Sequence, residues 1–181
     1  MDILSTLSGL AYSPRETLKH SSFSDFSRPG AAGHVAGALS IFVFLRINSV
    51  VPPGVFSFLA LLAAVLSVNF LLASVIHLFL EMTGAPGSAR RLFSLLGVGE
   101  FFWTLLVPFG FLCRFGYLSP FLWVSLCFIF VLSARVTFVR GLYFVSGNKA
   151  LLAVWMPYAL AAVSLLSALT YAVAWLAWLV F

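Results

Sequence analysis

Residues 55–76 read VFSFLALLAAVLSVNFLLASVI, and not one of these side chains ionises. A helix that crosses the ~30 Å hydrocarbon core of a bilayer needs about 20 mostly apolar residues. This stretch meets that need alone, and it sets the scale for the rest of the chain. Phe115–Ala134 and Ala150–Phe181 are equally free of formal charge. Leu92–Leu112 is broken only by Glu100, and Gly30–Val51 holds His34 and Arg46 around an apolar or small centre, Val35–Leu45. Five spans result. Lipid offers no partner to backbone N–H and C=O groups, so each span must close its own hydrogen bonds. The predicted fold is all-α, a polytopic membrane bundle of five transmembrane helices.

The whole composition agrees. The 181 residues are 62% hydrophobic and 8% charged, against about 25% charged in a soluble domain. Mean hydropathy is +1.11. Ten basic and five acidic residues cannot coat a water-soluble globule, which excludes most soluble enzyme folds. The length leaves room for one membrane domain and no separate soluble one. The opening residues, with Asp2, no basic run and a short apolar stretch, do not read as a cleavable signal. The net charge of +5 reads as membrane orientation, and no nucleic-acid partner is expected.

Turn chemistry separates the spans. Val51-Pro52-Pro53-Gly54, Thr83-Gly84-Ala85-Pro86-Gly87-Ser88, Gly116-Tyr117-Leu118-Ser119-Pro120 and Ser146-Gly147-Asn148-Lys149 fall between them. The last run exceeds one upright crossing, which predicts an interfacial start and a bend near Pro157. With the N-terminus inside, Arg15, Lys19, Arg28, Arg90, Arg91, Arg140 and Lys149 gather on the inner side. Only Arg46 and Arg114 then lie outside, close enough to span ends to snorkel. The positive-inside bias therefore predicts an inner N-terminus and an outer C-terminus, with Trp175 and Trp178 in an outer aromatic belt.

The first 29 residues form a distinct unit in this reading, an amphipathic segment at the interface, with residues 30–181 as the membrane domain. Ile3, Leu4, Leu7, Leu10 and Ala11 fall at helical spacing opposite Ser5, Thr6 and Ser8. Ser13-Pro14-Arg15-Glu16 then supplies an N-cap, a first-turn proline and a capping-box glutamate. Either a partner-binding element or a helix that seats the bundle at the interface has this pattern. Ser21–Pro29 reads as a polar linker.

Intramembrane polar residues are the functional candidates, because they are costly to bury. Glu100 lies roughly 12 Å into span three and Arg135 roughly 8 Å into span four, counted at ~1.5 Å per residue from the same end. Opposite charge at similar depth predicts a Glu100–Arg135 pair, with His77 and Glu81 of span two nearby. Such a cluster serves as a structural register lock, as a proton or ion relay, or as a lipid-headgroup site. His77 and Glu81 have the spacing of two metal ligands, yet no third is in view, so neither a metal nor a cofactor is expected. Asn69 reads as interhelical glue. Gly33-x-x-x-Gly37 and Ser164/Ala168/Ala172 offer small faces, for packing within the chain or for a homo-oligomer. Cys113 and Cys127 read as buried thiols, and no CxxC, HExxH, Walker or GxGxxG pattern occurs. No catalytic constellation is visible, so an enzyme is not expected.

The layout resembles the Yip family, five-span membrane proteins named for interaction with Ypt/Rab GTPases. Four features carry the likeness: Leu10-Ala11-Tyr12-Ser13-Pro14-Arg15-Glu16-Thr17 at the start; Ile76-His77-Leu78 running into Gly84-Ala85-Pro86-Gly87-Ser88; Leu92-Phe93-Ser94-Leu95-Leu96-Gly97 with Pro108 deeper in the span; and Arg140-Gly141-Leu142-Tyr143 before Asn148-Lys149-Ala150. Gly97-Val98-Gly99-Glu100-Phe101 stands where family members often have a Gly-Tyr-Ala-like stretch, so Glu100 is not carried over as a family residue. The compact chain looks like the bacterial branch. The resemblance implies a non-enzymatic membrane-organising or trafficking-like adaptor in a bacterial cytoplasmic membrane, or in ER or Golgi membranes if eukaryotic. Its partners would be membrane lipids and a cytoplasmic protein; a GTPase fills that place in eukaryotic relatives and is not transferred here. The competing expectation is a small transporter, ion or proton conduit, or lipid-handling protein built on His77, Glu100 and Arg135.

Overall fold

The computed structural model describes residues 8, 9, 12, 16, 17 and 23–180. Ser13, Pro14 and Arg15 of the capping box, and most of the amphipathic stretch before them, lie outside the described residues; Glu16 is described and exposed. The elements are α1 (Phe23–Ile47), α2 (Val55–Met82), α3 (Ala89–Gly99), a 3-10 stretch (Glu100–Leu105), α4 (Leu106–Arg114), α5 (Pro120–Leu142) and α6 (Gly147–Val180). The third span, Ala89–Arg114, comprises α3, the 3-10 stretch and α4, which gives five helical rods long and apolar enough to cross a membrane. Among the described residues there is no strand. The chain is a helical membrane protein.

The ends follow from local sequence. Ser88 caps α3 by accepting from the Arg91 N–H at 3.4 Å. Pro120 opens α5 in the first turn, where its missing N–H costs nothing. At the end of α2, the Ala85 N–H reaches the Leu80 carbonyl and the Gly84 N–H reaches Glu81, both at 2.9 Å. This crossed pair of bonds needs a left-handed residue just past the helix, and Gly84 supplies it at φ 80°. Gly116 ends α4 in the same way.

Three boundaries differ from the sequence reading. Helix α1 begins at Phe23, so most of the expected linker is already helical. Its anchor is Phe26, fully buried beneath the Arg91 guanidinium, 5.4 Å above the ring. Helix α5 starts later than expected and runs on to Leu142, which places Arg135 and Arg140 inside it. Helix α6 begins at Gly147, ahead of the expected Ala150, and holds Pro157 within it.

We call the end where α1, α3 and α6 begin proximal, and the opposite end distal. All five rods meet in a proximal core that includes Phe26, Ile76, Leu80, Leu95, Val139 and Val154. A smaller distal core holds Phe44, Leu106 and the free thiols Cys113 and Cys127. Helices α2 and α6 join only the first. Past Tyr158, every side chain of α6 described through Leu179 is exposed, so this half of the helix faces lipid.

Glycines make the tightest contact in the bundle. A Cβ placed on Gly33 would lie 2.0 Å from the Gly97 carbonyl oxygen, and one on Gly30 would lie 2.3 Å from that of Ser94. Gly37 abuts Glu100 in the same stripe, where a Cβ would come within 2.8 Å of the Glu100 Cβ. The Gly33–Gly37 face is therefore filled by the third span of its own chain. It is not available to a second copy, which corrects the homodimer reading of that motif.

Candidate functional site

The first level of the site is set by α1 pressing on α3. That contact carries Glu100 to the bundle axis at the point where the α-helix tightens into the 3-10 stretch. Pro108 stands just beyond. It has no N–H for the Thr104 carbonyl, and the Thr104 hydroxyl donates back to the Phe101 carbonyl at 2.7 Å. A 3-10 stretch inside a span is a place where helical backbone is under strain or function.

Arg135 of α5 meets Glu100 there. Its Nη2 donates to Glu100 Oε1 at 2.7 Å and to Asn69 Oδ1 of α2 at 2.8 Å. Its Nη1 donates to the Tyr158 hydroxyl of α6. Glu100 is 2% exposed, Arg135 5% and Asn69 2%. One guanidinium thus ties three other segments together, and the bundle seals it from solvent. The Arg135 Nε has no hydrogen-bond partner. Charges taken from water need a close counter-charge and further hydrogen bonds to be tolerated, and this arrangement supplies both.

His34 of α1 is the polar group that sequence reading undervalued. It is 2% exposed, and neither ring nitrogen makes a hydrogen bond. The ring stacks on Phe93, with centroids 4.7 Å apart. It occupies the hollow left by Gly97, where a Cβ would lie 2.7 Å from Nε2. Gly37, one helical turn further along α1, touches Glu100, so His34 lies about one turn to the proximal side of the charged pair. Buried polar groups without partners are rare in folded proteins.

His77 and Glu81 are elsewhere. His77 Nδ1 is 2.9 Å from the Tyr143 hydroxyl, and Nε2 is 3.4 Å from Glu81 Oε2. A carboxylate only accepts, so Nε2 carries the hydrogen in the neutral ring, and Nδ1 accepts from Tyr143. Burial, helped by the Glu81 charge, pushes the Tyr143 hydroxyl's pKa up, which keeps it a donor. Nearby, Lys149 Nζ donates to the Thr83 carbonyl at 3.0 Å.

The expected four-residue cluster is therefore two clusters. Asn69 pairs with Arg135, His77 with Tyr143 and Thr83 with Lys149, and each pair is 66 positions apart in the chain. The first two contacts join α2 to α5 and to the residue just past its end, so α2 and α5 run parallel and share one register; the third reaches α6. At ~1.5 Å per residue, His77 lies about 12 Å proximal of Asn69, too far to join Arg135. Sequence depth counting placed Arg135 correctly against Glu100 but gave α2 the wrong register. Tyr158 went unread, and Tyr143 was read only within the Arg140–Tyr143 stretch; the signal was a hydroxyl in an apolar run, which seeks a partner when buried.

Chemically, the deep network holds a carboxylate and a guanidinium against each other, out of reach of solvent. A hollow lined by Val163, Leu166, Ser167, Thr170, Tyr171 and Ala174 lies on the distal half of α6, beyond Tyr158. Among the described residues, no three His, Cys, Asp or Glu side chains come together to hold a metal ion. In comparisons with known proteins, no family model matches the chain, no curated protein matches it, and no solved structure matches it.

Proposed function

We propose that this chain is a non-enzymatic membrane-organising adaptor of the Yip type. It would sit in a bacterial cytoplasmic membrane with its N-terminus inside and work through its N-terminal segment and proximal loops. One observation carries the reading: the charged pair deep in the span is spent on holding helices. Arg135 is bonded to three segments and closed off, which suits a register lock better than a pathway. Work is then left to the surfaces at the membrane face. The resemblance to Yip proteins around Ser13-Pro14, Gly84–Ser88 and Arg140–Tyr143 supports the type, and the excess of basic residues at the proximal end supports the orientation.

Pull-down of cytoplasmic partners with the whole chain and with a form lacking residues 1–28 tests it. A partner recovered only with the whole chain supports the adaptor, and equal recovery from both overturns it. His34 favours a second reading, a proton or ion conduit, since its two unbonded nitrogens lie beside a carboxylate–guanidinium pair. Proton flux in liposomes that disappears in Glu100→Gln would replace the adaptor with this conduit.

A further inference from the structure

Turns at the two ends of the bundle are built of different residues. The distal turns, residues 48–54 between α1 and α2 and residues 115–119 between α4 and α5, hold no Asp, Glu, Lys or Arg. In and beside them Val50, Phe56, Phe115, Tyr117 and Phe121 are each at least 66% exposed. In and beside the proximal turns, residues 83–88 and 143–146, only Met82 and Phe144 are large apolar side chains left exposed. Turns that meet water are polar, and a contiguous exposed apolar patch marks a surface that something covers.

Depth agrees with a lipid covering. Asn69, bonded to Arg135, stands at the middle of α2. Phe56 lies 13 positions distal of Asn69, and Phe121 lies 14 positions distal of Arg135. Both therefore stand about 20 Å from that level at ~1.5 Å per residue. Half a bilayer measures about 15 Å to the edge of its hydrocarbon and about 20–22 Å to the outside of its headgroups. A bundle centred on the middle of α2 thus ends its distal turns in the headgroup layer, where aromatic rings gather. The backbone there is fitted to scarce water. The last four carbonyls of a helix lack an intrahelical donor, and at the end of α1 the chain supplies all four. Phe44 accepts from Asn48, Leu45 from the Val50 N–H, Arg46 from the Ser49 N–H and Ile47 from the Arg114 guanidinium at 2.6 Å. The Arg46 side chain donates to the Val51 carbonyl at 3.3 Å, so both distal guanidinium groups are held by backbone.

We infer that the distal turns form a lipid-seated cap. Phe56, Phe115, Tyr117 and Phe121 lie among the headgroups and first acyl carbons of the leaflet, and neither turn reaches out into water. Covering the rings takes apolar surface out of water, and Tyr117 keeps its hydroxyl wet while its ring is buried in lipid. Lipid is the occupant because the patch runs on without a break into the exposed sides of the rods, through Leu59 on α2 and Leu122 and Leu126 on α5. The inference does not depend on the adaptor reading, which concerns the other end of the bundle.

Phe56→Cys, Tyr117→Cys and Phe121→Cys test it, with Asn148→Cys, exposed at the proximal end, as the reference. Each is made singly in the whole chain, given a nitroxide label in detergent and returned to phosphatidylcholine discs open to water on both faces. Cys113 and Cys127 are buried, and the natural sequence taken through the same steps supplies the blank. Oxygen concentrates in lipid and a polar nickel chelate stays in water, so their collisions with the label tell the two apart. The oxygen-to-nickel ratio at the three distal sites should exceed that at Asn148→Cys by about fivefold or more, because an apolar layer excludes a polar solute. Equal ratios at the two ends place the turns in water and overturn the inference. Distal labels that meet neither reagent lie under protein, such as a second copy of this chain, and overturn it as well. Circular dichroism checks that each variant keeps the helix content of the natural sequence.

Discussion

Two polar clusters hang from α2, eight residues apart, and they use almost the same vocabulary. The deeper one pairs Glu100 with Arg135, supported by Asn69 and Tyr158. The shallower one pairs Glu81 with His77, supported by Tyr143. In the first, both charged side chains are almost wholly enclosed; in the second, Glu81 is 66% exposed. Burial makes the difference. A sealed pair cannot be broken without stranding a charge, whereas water takes over the role of an exposed partner.

Mutation should separate the two clusters, and unfolding in mixed detergent and dodecyl sulfate would measure it. Glu100→Gln or Arg135→Gln should each cost about 3–5 kcal/mol, because the partner is left buried and uncompensated. The double variant should cost less than the two singles together; strict additivity would mean that the pair does not interact. Next comes Gly97→Ala, whose new Cβ would sit 2.3 Å from the Gly30 carbonyl and 2.7 Å from the His34 ring. Overpacking of this kind costs about 1–3 kcal/mol, and a neutral result would show that α1 yields easily.

The shallow cluster should respond more weakly. Tyr143→Phe removes one hydrogen bond to His77 and should cost about 1 kcal/mol at pH 7. Tyr143 also carries a pH signature. Its folded pKa lies above the unfolded value, so its contribution is present below about pH 10 and fades as pH rises past that point. The natural sequence should therefore lose stability with alkali faster than Tyr143→Phe. Equal slopes would show that Tyr143 is not shielded. Glu81→Gln closes the series at no more than about 0.5 kcal/mol. A loss as large as that of Glu100→Gln would erase the contrast between the clusters.

Particular residues show how far the sequence could be read. Val55–Ile76 and its counterparts announced five spans, because a bilayer selects length and apolarity, and both are local properties. Glu100 and Arg135 were legible as a pair from depth alone, since an ion in hydrocarbon has few ways to exist without its opposite. The partners of that pair were not legible. Whether Asn69 or His77 comes level with Arg135 depends on how far α2 slides along the bundle, and every position on a uniformly apolar helix looks alike to lipid. Gly33 and Gly37 were visible as a small face, but neither the part of Gly30 in it nor what would press into it was.

The amino-acid sequence by itself thus determined that this is a helical membrane protein with five spans and a short roster of buried charge. Solvent decides those features, residue by residue. The tertiary structure alone decided that α3 lies in the glycine stripe of α1, that α2 and α5 keep one register over two polar contacts, and that His77 stands apart from Arg135. Those depend on the rotation and shift of one helix against another, which packing fixes and composition does not record.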